Sequence, residues 1–421
     1  MRRRVFVKQG ALSLVTLGLA PAVFRRAVYA QPSGAAPGKV LVVLFQRGAA
    51  DGLNVVVPYG DAAYAALRGR LAIDRPSLGD GTAKDLDGFF GLHPAMASLM
   101  PLWRQGTLAA VQAVGSPSGT RSHFDAQDYL ESGTPDVKST TSGWLNRALA
   151  TRGTCEACAP STSAFRGVAL AAQTPRILDG PSPTVAMTSL ADFGLRTSGT
   201  AAERLEALYR TGSADLVHAQ GQESFEAVRM LRAADPQRYR PADGVEYPRT
   251  PFGQRLLQIA QLIKADVGLE VAFTDIGGWD THVNQGAATG QLANRLREFA
   301  DGLAAFARDL DRRMDDVLVL TMSEFGRTVR PNGTGGTDHG HAGAMFALGG
   351  ATVGGRVHGR WPGLAPDALY EGRDLALTTD VRAVLAEALT GHLGLSGTAL
   401  ATVFPGFSMP RTGPGVVRAT R

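Results

Sequence analysis

From Gly290 to Met314 the chain places an apolar residue at every third or fourth position: Leu292, Leu296, Phe299, Leu303, Phe306 and Leu310. That spacing predicts one α-helix of about seven turns with a single apolar stripe. In the segment that follows, Asp316-Val-Leu-Val-Leu-Thr321, the four central residues form an unbroken apolar run. Such a run suits a strand covered on both faces. The same grammar recurs along the chain. Lys39 to Phe45 and Thr107 to Val114 read as buried strands, Pro94 to Gln105 and Tyr247 to Ala265 as helices, and Val267 to Phe273 and Phe346 to Gly349 as further strands. Strands alternating with amphipathic helices predict an α/β fold with a largely parallel sheet and helices on both faces. Residues 150–245 are richer in Thr, Ser, Pro and Ala, with one mixed helix near Glu223 to Ala234. They are expected to be an irregular insertion or cap on a single domain spanning 31–421. The 421 residues are 44% hydrophobic and 19% charged, a balance that excludes a disordered chain.

The first thirty residues read as an address. Arg3-Arg4-Val5-Phe6-Val7-Lys8 is a twin-arginine pattern, followed by about fourteen apolar residues from Ala11 to Phe24 and by small residues ending at Ala30. The apolar run is short against the roughly 20 residues of a membrane-spanning helix, so a cleaved signal peptide is expected rather than a stable membrane anchor. The expected partner is the twin-arginine export machinery, and the destination is the periplasm or the exterior. Six of the 43 basic residues lie in this segment, and without them 37 basic face 38 acidic residues. The basic balance therefore belongs to the address, and nothing in it points to nucleic acid. In an oxidising compartment Cys155 and Cys158, the chain's two cysteines, are expected to close a small local disulfide. A redox role is the alternative, while a zinc knuckle lacks a second pair.

In open parallel sheets, sites form at the carboxyl ends of strands. The residues expected there are Asp51, the run Thr120-Arg121-Ser122-His123, Asp280 with His282, Glu324, and Asp338-His339-Gly340-His341. Carboxylates and imidazoles are the ligands of hard and borderline cations. Asp51 reads equally as a turn residue before Gly52, and His282 equally as an ordinary loop histidine. Asp338, His339 and His341 crowd three ligands into four residues after the glycine-rich stretch 333–336. If the backbone is extended, Asp280 and His282 project to one side. Glu324 at the end of a buried strand needs a cation, which is either Arg327 or a metal. Thr120 or Ser122 is expected to cap a helix running to Tyr129. Its amide end and the Arg121 guanidinium suit an anion.

These segments carry a resemblance. Phe45 to Tyr59 (Phe-Gln-Arg-Gly-Ala-Ala-Asp-Gly-Leu-Asn-Val-Val-Val-Pro-Tyr), Arg121 to Asp128, Gly278 to His282, Ser323 to Thr328 and Thr337 to His341 resemble the bacterial exported family known as domain of unknown function 1501. That family is similar to the alkaline phosphatase and sulfatase superfamily. The resemblance implies an alkaline-phosphatase-like fold, with Asp51 as the first-strand metal ligand and Ser122 (or Thr120) as the nucleophile. It implies Asp280, His282, Glu324, Asp338 and His339 or His341 as further ligands of a divalent cation such as Zn, Mn or Ca. Phe325 stands where the superfamily commonly has a ligating histidine, which departs from a complete two-metal site. The implied activity is metal-assisted hydrolysis of a phosphate or sulfate ester, on a small molecule or polymer, with His123 or His341 protonating the leaving group. The alternative is a non-catalytic exported binding or assembly protein that retains the fold.

Overall fold

Seven consecutive apolar or amide residues, Val40–Gln46, form strand β1, and every one of them is buried. Alternate side chains leave a strand on opposite faces, so both faces of β1 must be covered. Val40, Val42 and Leu44 pack into one core, while Leu41, Val43 and Phe45 pack into another on the far side. The computed structural model describes residues 38–153, 163–190 and 239–418. The expected export signal, the Cys155–Cys158 pair and the Glu223 to Ala234 helix lie outside the described residues.

Along the chain the sheet continues with β2 (Leu108–Gly115), β3 (Gly167–Leu170), β4 (Val185–Met187), β5 (Val271–Ile276), β6 (Val317–Met322), β7 (Gly343–Gly349), β8 (Val357–His358) and β9 (Thr379–Asp380). Among the described residues these nine strands form one sheet in the order β8-β2-β7-β6-β1-β5-β3-β4, with β9 also on β2. β1 lies between β5 and β6, parallel to both. Only β7 runs against its neighbours, antiparallel to β2 and to β6. The expected α/β class with a largely parallel sheet is observed. β3 and β4, from the stretch read as an irregular insertion, extend the sheet edge in parallel. They are too short to show a period.

Five helices matter for the site: α1 (His123–Ser132), α2 (Trp144–Gly153), α3 (Pro251–Lys264), α4 (Gln291–Leu310) and α5 (Val381–Gly391). All six residues of the predicted stripe on α4 are buried and pack with α3 on one face of the sheet. α2 and α5 contribute to the core on the other face. Several boundaries differ from expectation. Asp311, with φ +46°, ends α4 at Leu310, and a 3-10 segment follows to Asp316. α3 begins only at Pro251, where the Thr250 hydroxyl accepts the Gly253 amide. Asp266 and Gly268, at φ +50° and +78°, keep Val267 out of the strand, so β5 starts at Val271. Residues 94–104 fold as a 3-10 segment running into a short α-helix. α1 runs past Tyr129 to Ser132, where Gly133 takes a left-handed C-cap.

This topology fixes where function collects. β1, β2, β5 and β6 end at one edge of the sheet. Because β7 runs the other way, the segment that precedes it, with Asp338 to His341, reaches that same edge. Phe299 on α4 meets Trp279 edge-on at 5.8 Å and stacks with Phe252 at 5.8 Å. It thereby props the loop that leads to Asp280. Phe299→Ala is expected to cost about 3–5 kcal/mol, read by urea denaturation. Phe124→Ala, whose ring is 90% exposed, is expected to stay within about 0.5 kcal/mol. Equal losses would contradict this packing.

Candidate metal centre

The loop after β5 carries Asp280 and His282, and the loop before β7 carries Asp338 and His339. The N-terminus of α1, reached from β2, carries His123. Their polar atoms converge. The Asp280 Oδ1 lies 3.0 Å from His282 Nε2 and 3.3 Å from His339 Nε2, and Oδ2 lies 3.5 Å from His123 Nε2. The His282 and His339 Nε2 atoms are 2.9 Å apart. Two ligands about 2.1 Å from one tetrahedral ion stand about 3.4 Å apart, so these spacings match a shared cation.

What surrounds each ring decides its protonation. His123 Nδ1 is 2.8 Å from Glu324 Oε1, His282 Nδ1 is 3.0 Å from Asp338 Oδ1, and His339 Nδ1 is 2.8 Å from the Arg121 carbonyl oxygen. Ionised carboxylates and carbonyls only accept, so all three Nδ1 atoms donate. In the neutral rings each Nε2 then keeps its lone pair; those of His282 and His339 face each other, and ligand atoms of His123, Asp280 and His339 all lie within 4.8 Å of one another. His123 Nε2 is buried and has no hydrogen-bond partner. Metal-binding histidines characteristically donate their other N–H to a carboxylate or carbonyl in this way. The donor set therefore fits a divalent cation.

Electrostatics support the arrangement. Burial pushes the Asp280 carboxyl up, but the hydrogen bond and charge of Arg327 outweigh it and hold the group at about 2. Burial likewise opposes ionisation of Glu324, yet hydrogen bonds from His123, Gln127 and the Gly48 amide keep it below the usual carboxylate range. Asn332 and His282 lower Asp338. The hydrogen bond to Glu324 raises His123 against burial, whereas burial lowers His339.

Arg327 is the hub of the centre. Its side chain is fully buried while that of Asp280 is 45% exposed. It donates to the carbonyls of Gly48, Ala49, Trp279 and Thr337 and to Asp280 Oδ1. One guanidinium thus ties together the loops after β1, β5 and β6 and the loop before β7. Gly48, at φ +117°, permits this approach, since a Cβ there would stand 2.7 Å from the Asp280 nitrogen. Phe325 lies 5.0 Å from both the His123 and His339 ring centroids and supports both rings.

A family model described as "Protein of unknown function (DUF1501)" matches residues 38–404. The chain belongs to the DUF1501 family. Among curated proteins none matches it. Solved structures that align with this DUF1501 protein include the C-terminal periplasmic domain of EcEptC from Escherichia coli, a complex with Zn (9% identity, TM-score 0.34, 75% of this chain and 74% of that one). The lipoteichoic acid synthase LtaP from Listeria monocytogenes aligns at 10% identity and TM-score 0.30 over 71% of this chain and 60% of its own length. A mutant of alkaline phosphatase PafA aligns at 13% and 0.25 over 70% and 64%.

The expected ligand set of this DUF1501 protein is corrected at several positions. Asp51 is not in the cluster: it is buried against Arg68 and accepts from Gln285 Nε2 at 2.6 Å. Nor does it cap the following turn. His341 turns away and stacks on Tyr370 at 4.2 Å, and burial lowers it. Glu324 and Asp338 orient histidines rather than join the central set, and the partner of Glu324 is His123, not Arg327. Arg121 is taken by Glu371 and Asp374, each 2.6 Å from its Nη2, so it is no free anion clamp. Ser122 caps α1, its hydroxyl accepting the Asp125 amide at 3.4 Å, and the Thr120 hydroxyl accepts the Ser122 amide at 3.3 Å. The 333–336 stretch is pinned, not loose: Asn332 and Thr334 bond the His282 carbonyl. Gln127 was missed, although its position four residues after His123 on one helix face was a usable signal; its Nε2 donates to Glu324 at 2.9 Å.

Protons and a cation compete for the three Nε2 atoms. Because His123 sits above the ordinary imidazole value of about 6.5, Zn2+ affinity is expected to strengthen as pH rises through that raised value and to fall in acid. Calorimetric titration in two buffers of different ionisation enthalpy will count the protons released. Affinity independent of pH between about 5.5 and 8 would contradict this ligand set.

Proposed function

We propose that this protein is an exported hydrolase that holds one divalent cation on His123, Asp280, His282 and His339 and cleaves a phosphate or sulfate ester. The observation that carries the reading is the approach of the His123, His282 and His339 Nε2 atoms to the Asp280 carboxylate while each Nδ1 faces a carboxylate or carbonyl oxygen. Three nitrogen donors to one oxygen donor suit Zn2+ better than Mn2+ or Ca2+, which favour oxygen ligands. Half-exposed Asp280 and His282 leave the centre open to solvent, as a catalytic rather than a structural site requires.

When bound, a divalent cation supplies Lewis acidity, lowering the pKa of a nearby hydroxyl and neutralising charge on the oxygens of an ester. The chain supplies the rest. Ser122 lies between two residues tied to the centre: the Arg121 carbonyl holds His339, and His123 carries a ligand nitrogen. Its hydroxyl sits at the amide end of the ten-residue helix α1, where the dipole favours the charge of an attacking alkoxide or an anionic substrate. Ser122 is the nucleophile in this reading, and Thr120 shapes its turn. His123 is a ligand and His341 is stacked on Tyr370, so neither serves as the acid for the leaving group. The twin-arginine pattern at Arg3-Arg4 supports an activity outside the cytoplasm in this reading. Among the described residues, no helix is long and apolar enough to cross a membrane.

A second reading, an exported binding or assembly protein without turnover, is favoured by one observation. Asp51 and Arg121, which would have completed a second ion site and an anion clamp, are committed to Arg68 and to Glu371 with Asp374. Assays with aryl phosphate and aryl sulfate after Zn2+ or Mn2+ loading separate the two. Ser122→Ala is expected to lower turnover more than about 100-fold while metal affinity stays within about threefold; Asp280→Ala is expected to lose both. Wild-type protein that binds metal yet turns over neither ester across pH would favour the binding protein.

A further inference from the structure

Beneath the cluster lies a second, fully buried polar layer that the sequence did not signal. Gln285 Oε1 accepts the Thr281 hydroxyl at 2.8 Å and the Thr337 hydroxyl at 2.7 Å, and Gln285 Nε2 donates to Asp51 Oδ2 at 2.6 Å. Thr281 separates Asp280 from His282 in the chain, and Thr337 precedes Asp338 and His339. One carboxamide therefore bridges the two loops that carry most of the ligands. Both lone pairs of its oxygen are used, and its amide must face a carboxylate, so its orientation is fixed. Asp51 is in turn held by Arg68, whose Nη1 donates to the Thr328 and Val329 carbonyls at 3.1 and 3.0 Å. Asp51, Arg68, Thr281, Gln285 and Thr337 are all buried. The backbone repeats the bridge: the Thr337 amide donates to the Thr281 carbonyl at 3.1 Å, and a Cβ on Gly336 would stand 2.1 Å from that same oxygen.

We propose that Gln285, anchored on Asp51, is the positioning residue that sets the separation of the Asp280/His282 loop from the Asp338/His339 loop and so tunes cation affinity. The inference rests on the metal reading above, and it gives Asp51 a role as an anchor behind the ligands instead of among them. Ligand bonds are only about 2.0–2.2 Å long, so a slip of one loop against the other withdraws His339 from Asp280 and His282 together. The directional order, from the Arg68 cation through the Asp51 anion and the amide to two hydroxyls, leaves the loops one mutual register.

The test measures Zn2+ dissociation constants by competition with a chromophoric chelator, alongside the thermal midpoint of the metal-free protein. Gln285→Met is expected to weaken Zn2+ binding roughly 10- to 100-fold. Thr281→Val and Thr337→Val are each expected to weaken it several-fold, and Thr337→Ser to restore it. Because the threonines act through Gln285, Thr337→Val adds nothing further in the Gln285→Met background, a non-additivity that general loosening would not produce. Asn146→Ala is the control, since its amide bonds the Leu178 and Ser182 carbonyls and it is expected to lower the midpoint with no change in affinity. If Gln285→Met does not fold, the Thr337→Val and Thr337→Ser pair decides. Variants that bind Zn2+ as tightly as wild type, or that weaken no more than the control, overturn the inference alone. A wild type that binds no Zn2+ overturns the metal reading itself.

Discussion

A neutral imidazole has one N–H and one lone pair, and in this protein three imidazoles direct the N–H outward, to Glu324, to Asp338 and to the Arg121 carbonyl. Everything proposed about the centre depends on that choice. With the Nδ1 hydrogens committed, the Nε2 lone pairs of His282 and His339 face each other across 2.9 Å. Such a contact needs a positive charge between or beside the rings. A shared proton satisfies one pair, whereas a divalent cation held by His123, Asp280 and His339, whose ligand atoms lie within 4.8 Å of one another, would also satisfy the carboxylate. The orienting groups are thus as much a part of the site as the ligands.

The fold makes this convergence possible through a single reversal. Were β7 parallel to its neighbours, the segment before it would lie at the opposite edge of the sheet, and His339 could not meet Asp280. Arg327 then fixes the meeting at its base. A buried guanidinium is costly unless its donors are satisfied, and here four backbone carbonyls and one carboxylate satisfy it. Those five acceptors come from three loops, those after β1 and β5 and the one before β7, so the cation that holds Asp280 ionised also holds the loops in place. Below it, the Gln285 bridge repeats the logic with neutral groups.

What could be read in the chain follows from the range of each signal. The α4 stripe from Leu292 to Leu310 and the apolar runs of β1 and β6 are local patterns, and they are where the periodicity puts them. Strand ends were legible as well, and with them Asp280, His282, His339 and His123 as chemistry-bearing residues. Partnerships were not. An acid after the first strand looks the same whether it faces a metal or an arginine seventeen positions on, so Asp51 was misplaced. For Glu324 the sequence offered Arg327 or a metal, whereas its partner His123 lies 201 positions away. His341 follows His339 by two residues, which would align them in an extended chain, but Gly340 packs against the Arg327 backbone and His341 leaves for Tyr370. Phe325, a departure from a ligand pattern, serves as the apolar floor under two of the rings.

The decisive measurement on this centre is anomalous diffraction at the zinc edge from crystals grown with Zn2+. One peak is expected, about 2.0–2.2 Å from the Nε2 atoms of His123, His282 and His339 and from an Asp280 oxygen, with Asp51 and His341 outside coordination distance. A map with no peak at that position, or a peak held instead by Asp51 or His341, would contradict this assignment of ligands.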